Sequence, residues 1–411
     1  MYDILFTGAN LYHKDMTLAM NLDIAVSDGR IVEIGNNLDV KNAKRVIDVQ
    51  NKLVVPTFMD THMHIDKVFT MNNDETKSLI AACDNSNWTD AYYFDWTEEQ
   101  IYDEIYRNSS KVIENCVRHG TTLVKTNLLF SKSWRTIALD VMEDLKKRYK
   151  NYCDIKNVMN YPPEYKEELI RATKEGKADF VGGYPHLCPD HELETRNCFE
   201  IAKEFDLPLD LHCDESDCIN LNNFNYIIEM TRKEKMEGKV TCGHVTGLSA
   251  TNIPIEMQKE SIRRAAEVDM NITTLTSCNM YLMNMGRRGP TCVRQLLDAN
   301  INVAVASDNI RDTFRPFGNC DLLEEGLLTA QVHKMGTTEL LRKVMNMVTY
   351  NAAKNALAQD YGLDVGCRAS FNVLDAVTPE DAILDQSEKL FVVKDGRLIA
   401  EKGTINREFL V

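Results

Sequence analysis

The stretch LVVPTFMDTHMHIDK, residues 53 to 67, decides how the rest of this chain is read. A β-branched apolar run leads into two histidines, His62 and His64, spaced two residues apart. In a strand that spacing puts both imidazoles on one face, so a single metal ion can take one nitrogen from each. A His-x-His pair also occurs among packed or surface histidines, so its meaning depends on what the other strand ends carry.

Working outward, seven further short apolar or β-branched runs follow: TTLVKTNLLF (121–130), DIKNVMNY (154–161), DFVGGYPHL (179–187), PLDLHCDE (208–215), KVTCGHVTG (239–247), NITTLTSC (271–278) and INVAVASDN (301–309). Amphipathic segments such as SWRTIALDVMEDLKKRYK (133–150), CFEIAKEFDL (198–207) and SIRRAAEVDM (261–270) lie between most of them. With the strand at 53–62 this makes eight β units separated by helices, the signature of an α/β fold of the (β/α)8 TIM-like barrel type. A doubly wound sheet is the main alternative. It needs a Gly-rich phosphate turn, and the chain has none.

The flanks read differently. Residues 1–56 are short strands with turns, including a hairpin signal at Asp28-Gly29, and the last 45 residues repeat the style with ASFNVLDA and LFVVKDGRLIAEKG around Asp395-Gly396. Both ends together predict a small β-sandwich domain. The expected division is 1–56 for its N-terminal part, 57–360 for the barrel and 361–411 for its C-terminal part.

Composition narrows the function. At 411 residues the chain exceeds the usual single-core ceiling, so a large barrel with an accessory domain fits. A net charge of -15 argues against nucleic acid or an anionic membrane as partner, because both require a positive face. The twelve cysteines are scattered, with no repeated CxxC and no dense framework, which points to reduced thiols in the cytoplasm. No run of about 18 apolar residues occurs, and the start MYDILFTGAN lacks the pattern of a secretory signal.

In a (β/α)8 barrel, chemistry sits where strands end and loops begin. His62 and His64 end the first strand, His212 ends PLDLH with Glu215 three residues on, His244 ends KVTCGH, and Asp308 ends NVAVASD. Imidazoles plus a carboxylate around a divalent ion leave room for a bound water, the open arrangement of catalytic sites.

The chain resembles the amidohydrolase superfamily, and within it the branch of cytosine deaminases and N-isopropylammelide amidohydrolases. The resemblance spans essentially the whole length. It rests on DTHMHIDK (60–67), LHCDESD (211–217), VTCGHVTGLSA (240–250), GRRG (286–289), ASDNIRDTFRPFGNCDLLE (306–324) and YNAAKNALAQDYGLDVGCRASFNVLDA (350–376). It implies that His62, His64, His212 and Asp308 hold one divalent ion, Zn2+ or Fe2+. It implies Glu215 as proton shuttle, and His244 beside the attacking hydroxide as oxyanion stabiliser or water orienter. Asp308 would take the proton of the attacking water, and ammonia or a small amine would leave.

Each assignment has a structural competitor. His244 can be a packing or capping histidine, and Glu215 can pair with a rim cation. His186, which also ends a strand, is either a pocket residue or structural. His119, in VRHG, reads as a helix C-cap, and His13, His191 and His333 as surface residues. Lys125 reads as a second-strand pocket lysine or a buried paired one. Because a metal-bridging carboxylated lysine belongs on the fourth strand, the site is expected to be mononuclear.

Departures from the cytosine deaminase pattern concern the substrate. Lys67 follows the His pair and can donate a hydrogen bond to a carbonyl or ring nitrogen, or else form a rim salt bridge with Asp66 or Asp60. Asn309 stands where an acid pair is expected. Pro163, in Asn160-Tyr161-Pro162-Pro163-Glu164, falls where the relatives carry a glutamine that reads the substrate's amide edge. Plain cytosine is thereby disfavoured unless Asn160 or Glu164 takes over. Phe314, Arg315 and Phe317 are expected at the pocket rim. The polar, aromatic stretch 70–104 is a candidate helical lid or ordinary packing.

The leading expectation is a metal-dependent C-N hydrolase that deaminates a planar nitrogen heterocycle, such as a pyrimidine or triazine, or strips a small amine from it. The alternatives are a cyclic-amide amidohydrolase and, from another class, an inactive barrel that binds a ligand as a scaffold. The partner is a small heterocyclic molecule, and because barrels of this family often assemble, a homo-oligomer is an open outcome.

Overall fold

A computed structural model describes residues 1–70, 92–93, 95–215, 220–282 and 289–411. The first five strands, β1 (Tyr2–Tyr12), β2 (Leu18–Ser27), β3 (Arg30–Gly35), β4 (Ala43–Asp48) and β5 (Leu53–Pro56), come from the N-terminal flank. Eight parallel strands follow: β6 (Phe58–Met63), β7 (Thr121–Leu128), β8 (Asp154–Met159), β9 (Phe180–Gly183), β10 (Leu209–Cys213), β11 (Val240–His244), β12 (Asn271–Thr274) and β13 (Asn302–Val305). The C-terminal flank supplies β14 (Phe371–Leu374), β15 (Lys389–Lys394), β16 (Arg397–Glu401) and β17 (Thr404–Ile405).

Strands β6 to β13 pair in chain order, and the seven later runs read from the sequence each form one of them; the first run, read as one strand over 53–62, is instead split, with Leu53–Pro56 (β5) in the terminal sheet and only Phe58–Met63 (β6) in the barrel. The ring is closed at a seam between the first and last strands. There the amide of Asp308 donates to the carbonyl of His62 (2.9 Å) and the amide of His64 to the carbonyl of Asp308 (3.2 Å).

Helices cover the barrel because their apolar residues recur at helical spacing. The helix Glu98–Arg118 shows the logic: Thr97 and Gln100 form a reciprocal capping box, and Ile101, Ile105, Val112, Ile113 and Cys116 are buried against the barrel. Its C-cap is His119, as its VRHG context predicts, and the ring of His119 lies 3.2 Å from Asp321.

The two chain ends build one nine-stranded sheet, ordered β17-β16-β15-β14-β5-β1-β2-β3 with β4 alongside β1. Most pairs are antiparallel, while β1 runs parallel to β4 and to β5. Its core draws on both flanks: Phe6, Ile24, Val26 and Val54 pack with Phe371, Val373 and Val393, and the rings of Phe6 and Phe371 meet edge to face at 5.0 Å. Both predicted turns, Asp28-Gly29 and Asp395-Gly396, carry positive φ at both residues, the conformation that suits Asp-Gly hairpins.

Among the described residues, no helix is long and apolar enough to cross a membrane. The lid expectation for 70–104 falls largely on 71–91 and 94, outside the described residues, as do Gly286 to Arg288 of GRRG.

Candidate metal centre at the barrel mouth

Asp60 and His62 lie in β6, whose pairing with β7 shifts register between Asp60 and Met63, and His64 follows directly after the strand's last residue. All three are buried, as are His212, His244 and Asp308. His62 Nε2 lies 3.1 Å from His212 Nε2, and His64 Nε2 lies 3.2 Å from the same atom. Asp308 Oδ1 stands 3.4 Å from His64 Nε2 and 3.9 Å from His62 Nε2, and its Oδ2 lies 3.9 Å from His244 Nε2. Glu215 Oε2 is 3.6 Å from His244 Nε2. All six residues singled out at strand ends therefore meet in one cluster.

The backbone at this cluster is unusual. His244, Val245, Asp308 and Asp214 all have φ between 47° and 68°, a region that costs a non-glycine residue of order 1 kcal/mol or more and that concentrates at functional sites. Arg315 braces one of these turns. Its guanidinium donates to the carbonyls of Ser307 (3.2 Å) and Asn309 (3.3 Å), on either side of Asp308, and pairs with Glu325 at 2.8 Å. This corrects the expectation of Arg315 at the rim: it is buried, because its charge finds a buried carboxylate on the helix Leu322–Val332. Phe317 does stand exposed.

Hydrogen positions test whether these residues fit an ion. His64 Nδ1 sits 3.1 Å from the carbonyl oxygen of Asn127. A carbonyl only accepts, so the single proton of a neutral His64 resides on Nδ1 and its Nε2 presents a bare lone pair. Burial, followed by the neighbouring Lys67 and histidines, keeps His64 well below the usual imidazole range. His212 is depressed by burial and then by the surrounding histidines, and His62 by burial, His244 and Lys125. All three rings are thus neutral. Two Nε2 atoms facing a third at 3.1–3.2 Å cannot both be satisfied by its one proton. A cation resolves the conflict, since two nitrogens about 2.05 Å from a tetrahedral ion lie about 3.3 Å apart. Both His62, His212, His244 and His62, His64, Asp308 form groups compact enough to hold a metal.

The residues around the cluster divide into supports and candidate substrate contacts. His244 Nδ1 lies 2.9 Å from Asn279 Oδ1, and the carbonyl of His244 accepts from Thr291 Oγ1 at 2.7 Å. His186 Nδ1 donates to the carbonyl of His212 at 3.1 Å, and the Tyr184 ring lies 4.3 Å from the His212 ring. Lys67 is buried, with Nζ 3.9 Å from Asp312 Oδ2 and 4.0 Å above the Phe314 ring. Its nearest acid is thus Asp312 rather than Asp66 or Asp60. Asp66 accepts from the amide of Leu129, and Asp60 from that of Ser307. Burial pushes Asp312 up to about 6, with Lys67 opposing. Asn309 is buried and its amide reaches Cys278 Sγ at 3.4 Å.

Beyond the third barrel strand, Pro163 and Glu164 are exposed, while Asn160 is half-buried and its amide oxygen is buried without a hydrogen-bond partner. His13, His191 and His333 are half-buried rather than fully at the surface, and burial lowers His333 to about 4. Lys125 takes the second of its two readings: fully buried, it pairs with Asp210 at 2.5 Å. Sequence reasoning passed over Asp210, although it stands two residues before His212 and so shares its face. It also passed over Asn127, Asn279 and Tyr184, which no metal-ligand spacing marks. A cavity of about 760 Å³ lined by Thr57, Phe180, Tyr361 and Arg368 contains none of the clustered histidines.

A closed (β/α)8 barrel with imidazoles and a carboxylate gathered at the C-terminal strand ends defines a class, the hydrolase barrels that work with a divalent metal ion. The amidohydrolase family model matches residues 53–400, and the chain belongs to this family. It is 28% identical to the N-isopropylammelide isopropyl amidohydrolase of Pseudomonas sp. (strain ADP), over 98% of both chains. It is 26% identical to the pterin deaminase of Rhizobium rhizogenes, over 74% of this chain and 71% of that one. Among solved structures, it superposes on N-isopropylammelide isopropylaminohydrolase from Burkholderia multivorans with a TM-score of 0.84, at 22% identity over 99% of this chain and 100% of that one. For 5-methylcytosine deaminase from Klebsiella pneumoniae liganded with phosphonocytosine, the TM-score is 0.83, at 23% identity over 97% and 98%. At these identities the superpositions establish the fold.

Proposed function

We propose that the chain is a mononuclear metal-dependent hydrolase that releases ammonia or a small amine from a planar nitrogen heterocycle. The convergence of three neutral imidazoles and Asp308 carries this reading. His62, His64, His212 and Asp308 hold one divalent ion, zinc or iron(II), which supplies Lewis acidity and lowers the pKa of water to roughly 7. Asp308 accepts the proton of the attacking water. Glu215, 3.6 Å from His244, delivers a proton to the departing nitrogen. The C-N bond breaks and a ring carbonyl remains. His244 has its Nδ1 side engaged by Asn279, so its Nε2 faces the reacting atoms and orients the water or the developing oxyanion.

Substrate recognition falls to Lys67, Asn309 and Phe314, with His186 behind His212. Lys67 donates to a carbonyl or ring nitrogen. The half-buried Phe314 beside it offers an aromatic face to a flat ring. Asn160, with a buried amide oxygen in need of a donor, takes the place of the glutamine that Pro163 does not supply. The names of the relatives, acting on ammelide, pterin and methylcytosine, support heterocyclic substrates as the class. The boundaries 1–56, 57–360 and 361–411 are supported by the change of sheet between Pro56 and Phe58, and by the passage from the last barrel strand, which ends at Val305, through helices ending at Asn355 to the terminal-sheet strand that begins at Phe371. We place the enzyme in the cytoplasm, because ten described cysteines are free thiols.

The test is a panel of aminopyrimidines, aminotriazines, pterins and aminopurines assayed for ammonia or amine. Release from at least one ring with retention of that ring supports the proposal. A ring-opened acid formed without amine release contradicts it and favours a cyclic-amide hydrolase.

A further inference from the structure

Below the cluster, the barrel interior holds an ion pair where apolar layers are the rule. Lys125 of β7 and Asp210 of β10 are both fully buried, with Nζ to Oδ2 at 2.5 Å. Lys125 also donates to Asn355 Oδ1 at 2.7 Å and lies 4.3 Å above the Phe180 ring, and Asn355 Nδ2 donates to Thr273 Oγ1 at 3.0 Å. Asn355 belongs to YNAAKN, a motif that the reaction itself leaves unused. Buried charge pairs are costly to desolvate and are often replaceable by apolar residues without loss of stability, so the pair calls for a functional explanation.

The other oxygen of Asp210 supplies one. Asp210 Oδ1 is 3.8 Å from His62 Nδ1, a buried nitrogen with no hydrogen-bond partner of its own. Gly243 permits this placement. A Cβ there would come within 3.0 Å of His62 Cε1 and 3.2 Å of His62 Nδ1, so glycine lets the ring lie against β11 without being displaced by a few tenths of an ångström. Ligand histidines generally donate their second nitrogen to a carboxylate or carbonyl, which fixes the tautomer. Asn127 does this for His64.

We propose that Asp210 is a positioning residue for His62: its Oδ1 faces Nδ1 and favours the proton there, so that Nε2 presents its lone pair to the ion, while Lys125, itself anchored by Asn355, fixes the Asp210 side chain in place. The inference rests on the metal reading above. Lys125 is then an unmodified ammonium whose role is to support a ligand rather than to touch one. Its charge is neutralised by Asp210, so the two together add none beneath the ion.

The test compares wild type, Asp210→Asn and the double variant Lys125→Met/Asp210→Asn, each stripped of metal and titrated with Co2+. We expect wild type to bind one Co2+ with a visible ligand-field spectrum, and both variants to bind about 10- to 100-fold more weakly. The double variant, which buries no unpaired charge, keeps the wild-type circular dichroism and Tm. Wild-type affinity and spectrum in a folded variant overturn the proposal, as does a loss of affinity that follows only a loss of fold. As a check needing no variant, 15N NMR of the metal-loaded wild type must show His62 protonated at Nδ1; an unprotonated Nδ1 overturns the proposal by itself. Failure of wild type to bind Co2+ would instead overturn the metal reading.

Discussion

His62 and Asp308 are joined backbone to backbone across the barrel seam, the amide of Asp308 donating to the carbonyl of His62 at 2.9 Å. The same two residues point side chains into the cluster, Nε2 to Oδ1 at 3.9 Å. Closing the barrel and assembling the centre are therefore one structural event.

This makes Asp308→Ala a discriminating variant. Its main-chain seam bonds can persist, so the barrel is expected to fold while the ligand set loses its carboxylate. Metal content measured by mass spectrometry should fall well below one ion per chain, with far-UV circular dichroism unchanged. Full metal occupancy in Asp308→Ala would remove Asp308 from the ligand set.

Glu215 stands apart from the metal ligands. It contacts His244 rather than His62, His64 or His212, and its side chain is partly open to the mouth. Glu215→Gln keeps the size and removes the titrating proton, so metal content should hold while kcat falls by about 10²- to 10⁴-fold, the usual share of a general acid or base. An unchanged kcat would end its assignment as proton shuttle.

Lys67 predicts a different kinetic signature. Its ammonium, between Asp312 and the Phe314 ring, is assigned to binding. Lys67→Met should raise KM by on the order of tenfold, about 1.4 kcal/mol, with a smaller change in kcat and none in metal content. A kcat loss at constant KM would move Lys67 from recognition to chemistry.

Acid stability tests the terminal sheet. Burial favours the neutral form of Asp395, but two hydrogen bonds from Arg368, at 2.7 and 2.6 Å, outweigh it and hold the carboxyl below its ordinary value. A depressed carboxylate stabilises the fold above the unfolded-state pKa, about 3.9, and loses that contribution as pH falls through the folded value. The Tm gap between wild type and Asp395→Asn should therefore be open at pH 6 and narrow below about pH 4. A gap that stays constant with pH would show that the ionised carboxylate contributes nothing.

Much of this was legible in the sequence because two simple periods govern it. The two-residue spacing of His62 and His64 marked the end of the first barrel strand, and strand ends with His212, His244 and Asp308 could be recognised without knowing which strands pair. The supports were not legible in the same way. Arg315 looked like a rim residue beside Phe314 and Phe317, and only the packing of the helix Leu322–Val332 reveals Glu325 as its buried partner. The pairing of Lys125 with Asp210 joins strands 85 residues apart in sequence, and no local pattern encodes it. Residues that act on the ion stand at strand ends, whereas those that hold them in place depend on the closed tertiary structure.

Metal reconstitution bears most directly on the central claim. Chelated protein, titrated with Zn2+ or Fe2+ under anaerobic conditions, should be inert on its heterocyclic substrate and recover amine release in proportion to added metal, saturating at one equivalent per chain. Turnover that survives complete chelation, or that requires two equivalents, would contradict a mononuclear centre built on His62, His64, His212 and Asp308.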